Sequence, residues 1–279
     1  MANDQDRFEL NTHSDFHNER GISLADRGWF DEALVEFQKA IDVDPRCAEA
    51  FDNIANVYAE KGMHLDALRS YLKAIDLEPE NATGHHNLGC FIATRGDELA
   101  VLEYRTAAKH EWDFPDVHLN LGLSLIEQGQ AIEAIEEFNV ALKLDPSDTD
   151  ARHELACALL EIGRYREAIH EFRLVIKQDP SNQSGFVNLG VCYAIKGFYE
   201  ESEHAYMRAL ELDDSDVTVN YHYAALKALQ GAKAESLDLL RRALRIDRGK
   251  VIRWLENDRY FDSVRKLVAF KKFFEETYI

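Results

Sequence analysis

Two short stretches of the sequence set a histidine four residues ahead of a cysteine. HHNLGC carries His86 and Cys90, and HELAC carries His153 and Cys157. On a helix that spacing puts both side chains on one face, in reach of a common ligand such as zinc. A structural zinc asks for about four ligands at roughly 2.0 to 2.3 Å. Each pair supplies two, and Leu119 and Leu123 lie between the pairs in the chain. HELAC lacks the second histidine of H-E-x-x-H, and neither G-x-x-x-x-G-K-[ST] nor G-x-S-x-G occurs. Cys47, Cys90, Cys157 and Cys192 are scattered without a C-x-x-C pair, so neither a disulfide framework nor a zinc ribbon is expected and reduced thiols are the default. The reading is a protein with no catalytic, metal or cofactor site.

The chemistry that recurs is that of an amide. NLG appears at Asn87, Asn120 and Asn188. A primary amide both donates and accepts, so it can pair with the main chain of an extended peptide whatever the peptide's sequence. The other reading of these asparagines is a solvated residue common to the repeat that carries it.

That repeat is 34 residues long, with small residues at positions 8, 20 and 27, an aromatic or apolar residue at 24, and proline at 32. Units begin at Ser14, Ala48, Ala82, Pro115, Thr149, Gln183 and Val217. In the unit from Ala48 the marked positions read Ala55, Ala67, Tyr71, Ala74 and Pro79; in the unit from Pro115 they read Gly122, Ala134, Phe138, Ala141 and Pro146. The third unit lacks one residue just after Gly96. Apolar residues recur at helical spacing twice per unit, as in Phe51, Ile54, Ala55 and Tyr58, then Ala67, Leu68, Tyr71, Ala74 and Ile75. Each unit therefore predicts two helices. Small residues at 8, 20 and 27 let the axes approach closely. A glycine at 15 (Gly28, Gly62, Gly96, Gly129, Gly163, Gly197, Gly231) ends the first helix in the left-handed conformation.

This pattern resembles the tetratricopeptide repeat family over residues 14 to 248. The resemblance implies an all-α fold, a right-handed superhelical solenoid of helix-turn-helix repeats, because one pair cannot bury its own apolar face. The expected organisation is a polar extension at 1–13 and seven units at 14–47, 48–81, 82–114, 115–148, 149–182, 183–216 and 217–248. Capping helices follow at 249–279. His17 and Arg20, at positions 4 and 7 of the first unit where large apolar residues are usual, read as an uncovered N-terminal edge. Trp112 and Phe114, in the irregular joint HEWDFP, either cover a helix-pair junction or touch a partner.

In that family the first helix of each pair lines a concave groove through positions 2, 5, 6, 9, 12 and 13. Position 6 holds Glu19, Asn53, Asn87, Asn120, Glu154, Asn188 and His222 here, and the run Asn53, Asn87, Asn120 is the preferred binding stretch. The remaining groove positions carry acids, among them Asp52, Glu60, Asp116 and Glu127, with apolar Leu119 and Leu123 beside them and no Lys or Arg. Family members that grip acidic chaperone tails use groove lysines, so this chain departs from that pattern.

Residues 1–240 hold 45 Asp/Glu against 21 Lys/Arg, whereas residues 241–279 hold 11 Lys/Arg against 6 Asp/Glu. An acidic body repels nucleic acid and anionic membranes and steers cationic ligands. The expected partner is a protein or peptide, basic or mixed basic and apolar. No run approaches the roughly 18 apolar residues of a spanning helix, and the start MANDQDRFELNTH has neither a basic nor an apolar leader region, so a cytoplasmic location is expected. The function read from the sequence is a non-enzymatic interaction module. The alternative is a self-assembling protein that forms a homodimer through AFKKFFEETYI, with Phe270, Phe273, Phe274, Tyr278 and Ile279.

Overall fold

The computed structural model describes the backbone of residues 4–93 and 99–270, with side chains from His13 onward in those spans. Among them every regular element is a helix, and the chain divides into two units, Met1–Asp145 and Pro146–Ile279. The first unit holds four helix pairs: α1 (Asp4–Ala25) with α2 (Phe30–Val43), α3 (Ala48–Glu60) with α4 (His64–Leu77), α5 (Ala82–Ala93) with α6 (Leu99–His110), and α7 (Pro115–Glu127) with α8 (Ala131–Leu144). Helix α1 runs back to Asp4, through residues that the sequence reads as a polar extension.

The second unit holds α9 (Thr149–Glu161) with α10 (Tyr165–Gln178), α11 (Gln183–Ile195) with α12 (Tyr199–Leu212), and α13 (Val217–Leu229) with α14 (Lys233–Ile246). It ends in α15 (Arg248–Leu255), a 3-10 turn at Arg259–Phe261 and α16 (Asp262–Arg265). Within each unit a first helix packs on its own second helix, each second helix packs on the next first helix, and successive first helices touch.

Local chemistry sets these boundaries. The last residue of several 34-residue units is an N-cap: Asp148 Oδ1 accepts from Ala151 N at 2.9 Å, Asn182 Oδ1 from Gly185 N at 2.7 Å, and Asp216 Oδ1 from Val219 N at 3.0 Å. Pro115 opens α7, where its missing N–H costs nothing. Six first helices end at a glycine with φ between 72° and 78°, as the spacing predicts; the seventh, Gly96, lies outside the described residues.

Packing turns on the contact between positions 8 and 24. Phe37, Tyr104, Phe138 and Tyr206 are buried at position 24, each lying against a glycine at position 8. A Cβ on Gly89 would sit 2.7 Å from the Tyr104 ring and one on Gly122 would sit 2.5 Å from Phe138. The glycine is therefore what lets the two helices of a pair close over a ring. Where position 20 is serine, its hydroxyl donates to the position-8 carbonyl: Ser202 to Gly190 O at 2.8 Å and Ser236 to Ala224 O at 2.7 Å.

The segment after α14 closes the last pair. Val251, Leu255, Phe261, Val264 and Phe270 are buried in one cluster with Tyr221, Leu237 and Leu240. Trp254 lies 4.9 Å from the Tyr221 ring, and the Tyr221 hydroxyl donates to Asp258 at 2.8 Å. Phe270 thus belongs to the core. Phe273, Phe274, Tyr278 and Ile279, on which a dimer through this segment would depend, lie outside the described residues.

His17, read from the sequence as part of an uncovered N-terminal edge, has a partner within its own pair. Its Nδ1 pairs with Glu36 on α2 at 2.8 Å, as His85 pairs with Glu103 at 2.6 Å, His118 with Glu137 at 2.7 Å and Arg152 with Glu171 at 2.9 Å. Position 4 is polar in these units because it bonds a glutamate on the second helix of its own pair. The opposite side of the same group reaches back to the position-32 carbonyl of the preceding unit. His85 Nε2 meets Pro79 O at 3.1 Å, His118 Nε2 meets Trp112 O at 2.9 Å, and Arg152 donates to Pro146 O at 2.8 Å. One side chain therefore ties three segments together.

Candidate functional site

In the first unit the position-6 asparagines are not idle. Asn53 Nδ2 donates to Asn18 Oδ1 on α1 at 3.0 Å. Asn87 Nδ2 donates to Asp52 Oδ2 on α3. Asn120 Nδ2 bonds His86 Nε2 on α5 at 2.9 Å and lies 3.7 Å from Cys90 Sγ. Each amide reaches back to position 5 of the preceding first helix, so positions 6 and 5 of successive first helices form a ladder before any ligand arrives. In the second unit Asn188 Nδ2 donates to Cys157 Sγ at 3.5 Å, again on the preceding first helix. Every one of these amides is half-buried, and its bond to the preceding first helix is made through Nδ2. The rungs thus draw on the nitrogen side of each amide, Asn120 reaching both His86 and Cys90.

The acids differ among themselves. Glu60, Asp116 and Glu127 are exposed, and Leu119 and Leu123 are half-buried beside Asn120 on α7. Asp52 departs from the expectation of a solvated groove charge: it is 9 % exposed. Burial raises its carboxyl to about 6, Glu49 adding to the rise and the bond from Asn87 opposing it. Its Oδ1 is enclosed and has no hydrogen-bond partner. Composition and spacing placed Asp52 on the right helix face, but its burial depends on α4 and α5, which only the folded chain brings there.

The histidine–cysteine pairs have structural surroundings. His86 Nε2 lies 3.5 Å from Cys90 Sγ, and its ring sits 5.0 Å from Phe114 and 5.8 Å from Tyr104. Burial lowers the His86 pKa and raises that of Cys90, with Asp116 close enough to act on both. The pair is therefore a neutral imidazole beside a protonated thiol, a poor nucleophile. Burial likewise pushes Cys157 and Cys192 up to about 12. Among the described residues no three His, Cys, Asp or Glu side chains converge as metal ligands. Phe114 covers the junction between α5 and α7, whereas Trp112 is 66 % exposed and contributes its carbonyl to His118.

The position-4 network escaped the sequence reading, although a signal for it was present. Units with His or Arg at position 4 (His17, His85, His118, Arg152) have Glu at position 23 (Glu36, Glu103, Glu137, Glu171). Units with Phe51, Phe186 or Asn220 at position 4 have Ser70, Ala205 or Leu239 there. The covariation within one chain marks the pair as a contact.

Known proteins of this architecture share the pattern. Models described as tetratricopeptide repeat match residues 48–81, 98–149, 125–186 and 196–250, and one described as TPR repeat matches 21–62. No curated protein matches by sequence. Among solved structures, the chain is similar to YrrB, described as a TPR protein with an unusual peptide-binding site. The identity is 27 % and the TM-score 0.60, covering 66 % of this chain and 95 % of YrrB. It is also similar to the pilF protein of Pseudomonas aeruginosa, at 21 % identity and TM-score 0.68 over 77 % of this chain and 99 % of that one. A third similar structure is the Cut9–Hcn1 assembly of the APC/C, at 19 % identity and TM-score 0.60 over 88 % of this chain and 47 % of that one. Among the described residues no helix is long and apolar enough to cross a membrane.

Proposed function

The chain belongs to the tetratricopeptide repeat family, generally a non-catalytic protein-interaction module, and on that premise we propose that it holds a basic peptide segment or partner along its first-helix face. The observation that carries this reading is the state of the asparagine ladder. Bonding to the preceding helix fixes each amide's orientation without consuming its oxygen. The same first helices carry the exposed carboxylates of Glu60, Asp116 and Glu127. The hydrogen-bonding capacity left over is rich in acceptors, and its complement is a chain that donates: main-chain N–H groups flanked by Lys or Arg. Leu119 and Leu123 offer that chain an apolar footing on α7. The similarity to YrrB, at 27 % identity, adds a peptide-binding precedent in the same fold.

The test is a peptide array of random dodecamers probed with the full protein. Lys- and Arg-rich peptides are expected to be enriched. Association should slow as salt rises from about 0.05 to 0.5 M, since the Debye length falls from roughly 14 to 4 Å. Changing Glu60, Asp116 and Glu127 to their amides, at exposed positions that leave the fold intact, should slow it further. Enrichment of acidic peptides, or rates indifferent to both salt and the three substitutions, refutes a basic partner.

A further inference from the structure

A cleft of about 420 Å³ opens in the second unit between the second helices α10 and α12, over α11. Its floor is Phe186, Leu189 and Tyr193, at positions 4, 7 and 11 of α11, none of them a groove position; Ile176 and Ala205 stand on the two walls. The position-4 covariation accounts for it. Units with His or Arg at position 4 carry a bonded glutamate at position 23, whereas here Phe186 faces a unit with Ala205 there, and the short side chain leaves apolar carbon open. Arg173 lies over the Tyr193 ring and Arg208 over Phe186, each at 6.0 Å. The two walls differ in charge. Helix α10 presents Arg166, Arg173 and Lys177, all exposed, at i, i+7 and i+11 on one stripe. Helix α12 presents Glu200 and Glu201, exposed in its first turn. Among the described residues no ion pair reaches any of these five, while Arg208 is paired with Glu211. Beside the cleft on α12, three residues from His204, Met207 is 49 % exposed.

We propose that this cleft is a contact between two copies of the chain, paired about a two-fold axis that lays α10 of one copy along α12 of the other and seats each Met207 in the opposite cleft. It uses the second helices and does not depend on the groove reading above. The occupant follows from the charges. An apolar cleft alone would take any apolar side chain, but a basic wall beside an acidic one is self-complementary. In an isologous contact whatever residue i of one copy does to residue j of the other is done in return, so Arg166 and Arg173 meet Glu200 and Glu201 twice over. A purely acidic or purely basic partner would satisfy one wall and be repelled by the other. The knob suits the hole as well. Methionine is unbranched and polarizable, fills irregular gaps and packs favourably against rings such as Phe186 and Tyr193.

The experiment follows the full-length protein by sedimentation velocity across a dilution series. The wild type is expected to sediment as a dimer that dissociates on dilution. Two charge-reversed proteins are compared with it, one carrying Arg166→Glu and Arg173→Glu, the other Glu200→Lys and Glu201→Lys. All four positions are exposed. Each variant alone sets like charges against like and should self-associate about tenfold more weakly or worse. Mixed in equal amounts, the two should recover the dimer, because every acidic wall then faces a basic one. That recovery also shows that both variants are folded. Met207→Asp should weaken the wild-type dimer by about tenfold or more, and Met207→Leu should keep it. A wild type that is monomeric at every concentration overturns the proposal. So does a dimer indifferent to the charge reversals and to Met207→Asp, which would place the contact on another surface such as the C-terminal segment. Failure of the mixture to pair, with each variant monomeric, overturns the two-fold arrangement.

Discussion

Replacing Asp52 by asparagine should stabilise the protein at neutral pH and not at acid pH. The carboxyl is raised by burial from 3.8 to about 6, a shift of about two units. At about 1.4 kcal/mol per unit, ionising it in the folded state costs up to about 3 kcal/mol. The sign follows from which state releases its proton first. Below about 3.8 both states are protonated and there is no penalty. Between about 4 and 6 the unfolded chain ionises first, and stability falls. Above about 6 the penalty is complete. Asparagine removes it while keeping an oxygen for Asn87, at a cost of about 1 kcal/mol for one enclosed polar atom still without a partner. The expected net gain is about 2 kcal/mol at pH 7.5, shrinking to nothing or reversing near pH 4. Urea titrations of both proteins at the two pH values measure it, with equal slopes as the control that the same surface unfolds. Amide hydrogen exchange in α3 and α5 reads the local stability without assuming a single transition, which a repeat array need not have. A gain that is the same at pH 4 and pH 7.5, or no gain at pH 7.5, would show that Asp52 is not a buried, uncompensated charge.

His118 should behave oppositely in origin but with the same pH direction. Both its nitrogens face acceptors, Glu137 and Trp112 O, so the imidazolium is favoured and its pKa is raised. Its contribution is therefore full below about 6.5 and lost as pH rises through the folded value. An NMR titration should place that value above 6.5, and His118→Gln should flatten the stability profile between pH 6 and 8. Gly122→Ala should destabilise by about 1 to 3 kcal/mol, because the new methyl meets the Phe138 ring; a thermal melt unchanged from wild type refutes the close approach. Lys227→Met should cost about 1 to 3 kcal/mol, since the buried ammonium bonds Glu203 at 2.7 Å and Glu235 at 2.9 Å across three helices. Asn53→Ala, Asn87→Ala and Asn120→Ala together should weaken peptide binding and also lower stability by roughly 1 kcal/mol each, because every amide already bridges two first helices. Retained stability with lost binding would return the amides to a purely ligand-facing role.

What the sequence determined by itself is whatever depends on spacing along one chain. A glycine at position 15 ends a helix because only glycine takes positive φ cheaply, and six of these residues do so where described. Rings at position 24 and small residues at position 8 predict the closeness of a helix pair, because both belong to one unit and the loop between them is short. The Glu partners of His85 and His118 were legible for the same reason, through covariation between positions 4 and 23, although reading position 4 as an apolar site concealed them. The asparagine ladder was legible as a set of positions and not as a set of bonds. Asn87 meets Asp52 and Asn120 meets His86 only after two successive units have packed, and nothing in the 34-residue period says which of an amide's groups that contact uses. Asp52 is the clearest case. Its period placed it beside solvated acids, yet its neighbours come from three helices. Burial, which sets the free energy of a charge, is a property of those helices together and of no single stretch of sequence.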